Sequence, residues 1–219
     1  MQRRISFSMV LMSTLIVLPL LCGPALADGL DTDTADLPPD GIYVSPRDVQ
    51  EYPELERILD DASLRPIVQS ALRERVGNDE IETFDAEFRA TEIGMGLGPI
   101  FLTGPVQVRT SNRSLSTAGL FDAEIVSMSL SGAAPGAPIM MREDTQRAST
   151  GSTDIADLGG GLYHIDSFFD VFTELSVDGG ANWTQSTSSM RMFLIPEPAA
   201  LILLGAAALL VLAGRGRDR

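Results

Sequence analysis

The side chains whose chemistry could support catalysis are few, and most of them lie in one stretch of the chain. His164 is the only histidine, and Asp166, Asp170 and Glu174 follow it within ten residues. A histidine can act as a general base, and two carboxylates can together hydrolyse a glycosidic bond. A Ser-His-Asp triad, however, needs partners that a lone histidine does not specify. The sequence therefore offers candidates for chemistry but defines no catalytic set.

The element that holds these groups favours a structural interpretation. His164 lies in an alternating stretch, which is typical of the surface of a strand. At a period of two residues, Asp166, Asp170 and Glu174 share one strand face. The opposite face, predicted to be buried, carries Ile165, Phe169 and Val171. We therefore predict that the three carboxylates form the solvated side of a strand and that the chain has no catalytic residue.

Composition excludes several other kinds of site. The only cysteine, Cys22, lies in the N-terminal leader described below, so the rest of the chain has no thiol nucleophile, zinc thiolate or disulfide. The glycine-rich segment 94–98 lacks the following helix and the spacing of a dinucleotide fingerprint. The acidic segment 31–36 resembles part of a calcium loop but lacks the glycine and the final glutamate of an EF-hand. We predict neither a metal nor a cofactor.

The charge balance is strongly acidic between the two ends of the chain. All sixteen basic residues are arginines, and residues 28–198 hold 11 of them against 29 acidic residues. Such a surface repels nucleic acids, which are polyanions. The sequence therefore predicts no nucleic-acid partner, while it is compatible with cations, with basic partners or simply with solubility.

The N-terminus has the three-part organisation of a secretory signal peptide. Arg3 and Arg4 precede an apolar run over residues 5–21, and the small residues Ala25 and Ala27 then form a cleavage site. An acidic segment follows at once, which argues against an uncleaved membrane helix. We predict export through the secretion translocon and cleavage after Ala27.

The C-terminus combines three features in a fixed order. The triplet Pro196-Glu197-Pro198 precedes 16 uncharged residues, Ala199–Gly214. This stretch is slightly shorter than the ~20 residues that span a bilayer comfortably. The basic residues of the tail are Arg215, Arg217 and Arg219. By the positive-inside rule they keep the tail in the cytoplasm and the bulk of the chain outside.

The three C-terminal features resemble the PEP-CTERM sorting segment of Gram-negative bacteria, over residues 195–219. The resemblance implies that Pro196, Glu197 and Pro198 are the recognition signal of an exosortase, a membrane-embedded processing enzyme. It also implies a precursor anchored in the inner membrane, later delivery to the cell surface or extracellular matrix, and association with exopolysaccharide and biofilm. A plain single-pass anchor that is never cut is the alternative.

The middle of the chain begins with a segment of helical pattern. Within residues 47–78, apolar residues recur at three- and four-residue spacing from Leu55 to Leu72. Pro66 fits the first turn of a helix. We predict a short helical segment here, preceded by a flexible acidic linker over residues 28–46.

From residue 79 to residue 194 the pattern changes to short segments rich in β-branched and aromatic residues. The predicted strands include Thr83–Ala90, Gly104–Thr110, Leu120–Leu130 and Tyr163–Val177. In the second of them Val106 and Val108 share one face, and in the third Ile125 and Met128 fall on opposite faces. The turns between such strands predict a mainly β fold, an antiparallel β-sandwich.

One turn carries a recognisable motif. Its residues are Ser176, Asp178, Gly180 and Trp183. They resemble the Asp-box of sialidases and other β-proteins, although Asn182 stands where threonine is usual. The resemblance implies a structural turn in which the acid caps backbone N–H groups and the tryptophan packs beneath. The wider span Phe84–Phe193 resembles an uncharacterised exported domain of planctomycete-type bacteria, a resemblance that implies no activity.

Two functions remain open. The first is a non-enzymatic cell-surface or matrix protein, with the exosortase, the translocon and extracellular polysaccharide as partners. The alternative is an envelope protein that acts on carbohydrate or only binds it. Aromatic side chains exposed on one face would favour binding.

Overall fold

The structure is a computed structural model, and it describes residues 29–46, 48–93, 98–134 and 137–195. These residues form thirteen β-strands and two short 3-10 turns, and they contain no α-helix. The strands are β1 (Leu30–Thr32), β2 (Ile42–Ser45), β3 (Gln50–Tyr52), β4 (Arg57–Val76), β5 (Asp79–Ile93), β6 (Pro99–Thr110), β7 (Gly119–Ala134), β8 (Ala137–Glu143), β9 (Ser149–Gly159), β10 (Leu162–Val171), β11 (Thr173–Ser176), β12 (Thr184–Gln185) and β13 (Met190–Ile195). The 3-10 turns are Pro53–Leu55 and Arg113–Leu115.

Eight strands close into an antiparallel barrel in the order β2-β4-β5-β6-β7-β9-β10-β13, and β13 pairs back to β2. Closure requires β9 and β10 to approach closely at Gly151. At this position the Cβ atom of any other residue would lie 1.9 Å from the carbonyl oxygen of Phe168. Closure leaves none of these eight strands as an edge, whereas β1, β3 and β12 each pair on one side only.

At one end of the barrel, several strands are interrupted at the same level. β2 and β3 pair with successive parts of β4, and β8 and β9 pair with successive parts of β7. Likewise β11 continues β10 after a break at Phe172, and β12 precedes β13. The backbone groups at these breaks bond to one another: Asp144 N donates to Phe172 O (3.1 Å) and Ser186 N donates to Thr173 O (2.9 Å). We call this the junction end.

The opposite end of the barrel is formed by three hairpins. There β4 turns into β5, β6 turns into β7, and β9 turns into β10. The last strand, β13, runs toward this same end and finishes at Ile195, opposite Ile42 of β2. We call it the hairpin end.

The segment between β1 and β2 crosses the hairpin end as a plug. Ala35 and Leu37 within residues 33–41 are buried. Two arginines hold the segment in place: Nε of Arg73 donates to Leu37 O (2.6 Å), and Nη2 of Arg113 donates to Ala35 O (2.5 Å). Residues 28–46, predicted as a flexible linker, thus contain β1, β2 and the partly buried plug between them. The prediction is therefore wrong for the described part of this stretch.

The core fills the barrel from end to end. Its largest fully buried side chains are Tyr52, Leu59, Ile100, Leu102, Leu130, Ile139, Met141, Ile155, Ile165, Leu175, Met190 and Leu194. In β6, Val106 and Val108 point inward and Arg109 points outward, so the predicted alternation is confirmed there. Burial of apolar area of this kind is the main force that stabilises a fold without disulfides.

The prediction that Ile125 and Met128 face opposite sides of β7 is wrong, because both are buried. Val108 pairs with Ile125 while Gln107 pairs with Ser127, so β7 has one extra residue between the two pairs. An extra residue of this kind is a β-bulge. It moves every following side chain to the other face, which strict alternation cannot foresee.

The predicted helical segment at 47–78 is also wrong, since these residues form part of β3, a 3-10 turn and β4. Two irregularities interrupt the pairing of β4 with β5, the first of them between Asp60 and Ser63. The buried residues Leu59 and Ala62 are therefore three positions apart, where a regular strand would bury every second residue. A bulged strand can thus imitate the apolar spacing of a helix.

The prediction of a mainly β, antiparallel fold is confirmed, but the sandwich is wrong, because the sheet closes as an eight-stranded barrel. Turn signals and strand lengths are similar in the two architectures, and only the long-range pairing of β13 with β2 separates them. The predicted signal helix and C-terminal membrane helix lie outside the described residues. Within the described ranges, no helix is long and apolar enough to cross a membrane.

Candidate functional site

His164 lies at the barrel surface in a cross-strand pair. Its Nδ1 atom is 2.6 Å from Oδ1 of Asp31, which is its direct neighbour in the pairing of β1 with β10. A catalytic base would need a nucleophile within hydrogen-bond reach. Among the described residues no hydrogen bond joins this imidazole to a hydroxyl group. The geometry is that of a pair linking β1 to the barrel.

The candidate carboxylates are not brought together. Asp166 is exposed on β10, and Asp170 accepts two hydrogen bonds from Arg191, at 2.8 and 2.5 Å. Their Cα atoms are about 13 Å apart at the usual rise of a strand, whereas the carboxyl groups of glycosidases lie about 5–9.5 Å apart. Glu174 lies beyond the break at Phe172 and is buried, so the predicted common solvated face is wrong for this residue.

The Asp-box-like residues form a tight turn between β11 and β12. Oδ1 of Asp178 accepts hydrogen bonds from Asn182 N (2.9 Å) and from the Ser176 hydroxyl (2.8 Å), which itself accepts from Gly180 N (2.9 Å). These bonds, above all the one from Asn182 N, lower the pKa of Asp178 to about 2. The indole N–H of Trp183 donates to Gly180 O (3.0 Å). The turn therefore fixes the position of Trp183.

Trp183 borders an open groove of about 680 Å³ on the outside of the junction end. The guanidinium group of Arg142 lies over the indole ring, 4.1 Å from its centroid, and its Nε donates to Oε2 of Glu174 (2.6 Å). Thr145 donates to the other oxygen of Glu174 (3.2 Å). The volume is within the usual range of ligand sites, about 300–1,000 Å³. The groove thus presents an aromatic ring beside planar polar groups held in fixed positions.

A second ion pair lies behind the same groove, with Arg147 in the lining and Asp144 fully buried. Oδ2 of Asp144 accepts two hydrogen bonds from Arg147 (2.8 and 2.5 Å), and Oδ1 accepts one from Gln146 N (2.8 Å). Burial acts to raise the pKa of Asp144, but these hydrogen bonds outweigh it and the pKa lies below its ordinary value. Gln185 Nε2 is 3.4 Å from both Asp144 and Glu174. The two carboxylates therefore hold the neighbouring arginine and glutamine side chains in fixed positions.

Glu80 and Glu82 are buried on the same face of β5, and Glu82 lies beneath the plug. Glu82 is 1% exposed and lines an apolar cavity of about 40 Å³. Its Oε2 accepts a long hydrogen bond from Thr110 (3.4 Å), and its Oε1 has no partner among the described residues. Burial, followed by repulsion from Glu80, raises the pKa of Glu82 to about 8. The cavity has room for about one water molecule, far below the ~300 Å³ of a small-ligand site. The interior is a packed core.

A second perturbed acid lies at the junction end. Oε1 of Glu143 accepts a hydrogen bond from Ser149 N (2.9 Å), while its other oxygen has no partner among the described residues. Burial raises the pKa of Glu143 to about 7. Within the described ranges, no group of three or more His, Asp or Glu side chains could hold a metal ion.

The residues predicted for sorting and leader cleavage lie outside the described part of the chain. They are Ala25, Ala27, Pro196, Glu197, Pro198, Arg215, Arg217 and Arg219. Comparison of the sequence with protein-family models and with curated proteins, and of the fold with solved structures, gives no match. The argument for function therefore depends on the sequence features and on the geometry above.

Sequence reasoning missed the polar residues of the groove and the buried Glu82. A signal for the groove was present, because Arg142 and Arg147 enclose Glu143 and Asp144 in a dense cluster of opposite charges. Glu82 could have been noted because it shares the inward face of β5 with Phe84 and Ala86 at a period of two. Neither signal specifies what the side chain contacts across the barrel.

Proposed function

We propose that this chain is a non-enzymatic exported protein of the cell envelope. Its C-terminal segment anchors the precursor in the inner membrane and then serves as the signal for sorting to the cell surface or extracellular matrix. An exosortase-type enzyme and the secretion translocon are the partners that process it.

The observation that supports this proposal is the position of the described strands relative to the two terminal segments of the sequence. β1 starts at Leu30, three residues after the predicted cleavage at Ala27, and β13 ends at Ile195, directly before Pro196. Removal of both terminal segments would therefore leave all thirteen described strands and the whole described core intact. The surface pairing of His164 and the arginine pairing of Asp170 support the non-enzymatic part of the proposal.

Intact mass of the protein from fractionated native cells tests the sorting proposal. We expect a mature form that starts at Asp28 and ends near Ile195, found outside the inner membrane. Replacing the triplet (Pro196→Ala, Glu197→Ala, Pro198→Ala) should abolish this form. The matched control is Pro46→Ala, an exposed proline outside the segment. A chain that keeps Arg219 and stays in the membrane in every variant would show a plain anchor instead.

A carbohydrate-binding role is the second candidate, and the groove beside Trp183 is the observation that favours it. A polyhydroxyl ligand needs many donors and acceptors in fixed positions. Arg142 and Arg147, each held by a buried carboxylate, supply such donors in a rigid arrangement next to an aromatic ring. The carboxylates and guanidinium groups neutralise each other, which suits an uncharged sugar.

The single tryptophan makes this candidate simple to test. Because Trp183 is the only tryptophan, its emission reports on the groove alone. Titration with extracellular polysaccharide of the host should shift this emission in a saturable way, and Gln185→Ala should weaken the response. Phe101→Ala, an exposed aromatic position on β6, is the control and should bind unchanged. An emission that stays constant over a broad glycan panel would remove this candidate.

A further inference from the structure

Large apolar side chains are exposed in a cluster at the hairpin end of the barrel. Ten such side chains are exposed among the described residues, and six of them lie at this end. They are Leu72 (73%), Val76 (55%), Leu115 (68%), Leu120 (73%), Leu158 (56%) and Leu162 (51%). Scattered exposed leucines are ordinary, whereas apolar groups gathered at one end mark an interaction surface.

All three hairpins contribute to this cluster. Leu72 and Val76 lie in the β4–β5 hairpin, and Leu115 lies in the connection between β6 and β7. The β9–β10 hairpin has an apolar tip, in which Leu158 and Leu162 flank three glycines and an aromatic residue, Tyr163, follows. The residues from Leu158 to Tyr163 carry no charge. Tyr163 packs against the core, whereas the exposed leucines of an uncharged loop suit the boundary between lipid headgroups and acyl chains.

The chain leaves the barrel toward this same end. β13 finishes at Ile195, and the uncharged stretch Ala199–Gly214 begins four residues later. Four residues span at most about 14 Å when fully extended. Continuing the pairing of Phe168 with Phe193 places Ile195 opposite Asp166, so that Leu162 lies four positions farther toward the hairpin end. That distance is about 13 Å along a strand, comparable to the full length of the tether.

We infer that the hairpin end is a membrane-contacting surface, whose exposed leucines enter the interfacial layer of the bilayer in which the C-terminal segment is anchored. This inference rests on the proposed function, because it uses the anchored precursor. The short tether brings the end of the barrel to the lipid surface, and the hairpins extend beyond the point of attachment. Contact with the bilayer removes the apolar side chains from water, which is favourable in proportion to the area covered.

The chemistry of the partner follows from the charges around the cluster. Arg73 and Arg75 flank Glu74 in the β4–β5 hairpin, so this part of the surface is close to neutral. Exposed aspartates on β9 and on the plug make this end net acidic: Asp33, Asp36, Asp40, Asp154 and Asp157. A net acidic surface with protruding leucines suits a zwitterionic lipid surface better than a strongly anionic one, which would repel it.

Site-specific fluorescence in vesicles tests the inference on the anchored chain. The protein is the full chain from Asp28, which contains no cysteine, so that one introduced cysteine can carry an environment-sensitive dye. The labelled variants are Leu162→Cys and Leu72→Cys at the hairpin end. The matched control is Ile93→Cys, which has similar exposure (47%) at the junction end. The vesicles are phosphatidylcholine with a lipid-linked nitroxide quencher.

We expect a blue shift and a loss of emission by quenching at positions 162 and 72, with no change at position 93. If the chain floats with the vesicles while all three labels stay unquenched, the inference that the hairpin end contacts the membrane is wrong. The proposed C-terminal anchor is then still supported. Failure of the chain to float overturns the anchor and this inference together. Equal quenching at all three positions shows unspecific insertion and also overturns it. A concentration-dependent blue shift without lipid shows a second copy on this surface, which contradicts lipid as the occupant.

Discussion

The two ends of the barrel differ in which side chains they bury and which they expose. At the junction end the strand breaks are joined by a buried polar network, in which Gln50 donates to Val171 O (2.8 Å) and accepts from Thr173 (2.9 Å) and Tyr52 (3.1 Å). At the hairpin end a short plug covers the core, and leucines face the solvent. The junction end thus contains a buried polar network, and the hairpin end exposes apolar side chains.

This difference indicates which end contributes to folding stability and which end is available for interaction. Buried polar groups are costly unless they are paired, so the junction network must be complete for the broken strands to persist. Exposed leucines at hairpin tips have few neighbours to lose, so they contribute little to folding and remain available for a partner. A substitution should therefore change the free energy of unfolding strongly at the junction end and only weakly at the hairpin end.

The largest expected effect is at the junction end. Gln50→Leu keeps the volume but removes the side-chain donor to Val171 O and the acceptor that the buried hydroxyls of Thr173 and Tyr52 share. We expect the free energy of unfolding to fall by roughly 2–4 kcal/mol, because each unsatisfied buried group costs about 1–3 kcal/mol. Urea titration followed by circular dichroism measures this change.

The matched control for this experiment is Leu162→Ser at the hairpin end. We expect its free energy of unfolding to stay within about 0.5 kcal/mol of the parent, as for other exposed positions. A control that destabilises as strongly as Gln50→Leu would mean that the hairpin tip packs against part of the fold, and the contrast between the ends would be lost.

The same contrast explains how far the sequence could predict the fold. Strands such as β6, with regular alternation of Val106 and Val108, were foreseen because local periodicity determines them. β4 and β7 were misread wherever a bulge changed the period, since a bulge depends on the partner strand rather than on local composition. Barrel closure escaped prediction because it depends on one long-range pair, β13 with β2.

The candidate site shows the same limit. The turn around Asp178 could be predicted as a unit because its hydrogen bonds join residues within four positions of each other. The groove could not, because Arg142 and Glu174 come from strands 32 residues apart and Trp183 comes from a third segment. No local pattern indicates which distant side chains a tryptophan will meet.

A second prediction separates the interior of the hairpin end from its surface. The pKa of Glu82 is raised to about 8, so between the unfolded value, about 4.5, and pH 8 the folded chain binds more protons there than the unfolded chain. The free energy of unfolding must then fall as pH rises through this window. Glu82→Gln removes this titration, and we expect the variant to lose less free energy of unfolding than the parent as pH rises from 5 to 8.5.

Urea titrations at pH 5 and pH 8.5 measure this effect, with Glu143→Gln as the control at the junction end. The pKa of Glu143 is raised to about 7, which is less than that of Glu82. Its substitution should therefore reduce the pH dependence of the free energy of unfolding less than Glu82→Gln does. If the free energy of unfolding depends on pH in the same way in the parent and in Glu82→Gln, the buried acid is not held neutral beneath the plug.

The smallest expected effect compares two turns, one at each end. Asp178 accepts hydrogen bonds from Asn182 N and from the Ser176 hydroxyl, whereas Asp157 at the β9–β10 tip accepts one from Gly159 N (2.8 Å). Asp178→Asn keeps an acceptor but loses the charge that these bonds favour. We expect faster amide exchange at Asn182 and a shift in Trp183 emission, while Asp157→Asn should leave this emission unchanged.

The direction of the pH response follows from the pKa of Asp178, about 2 in the fold and lowered chiefly by the Asn182 N–H. Its contribution to stability is present above the unfolded value, about 3.9, and is lost as pH falls toward 2. Trp183 emission in the parent should therefore respond to acid in this range, and Asp178→Asn should remove part of that response. An emission with the same acid response in both proteins would mean that the turn does not hold the indole. The groove would then lose its fixed aromatic wall, and its ligand-binding role would depend on the arginine and glutamine side chains alone.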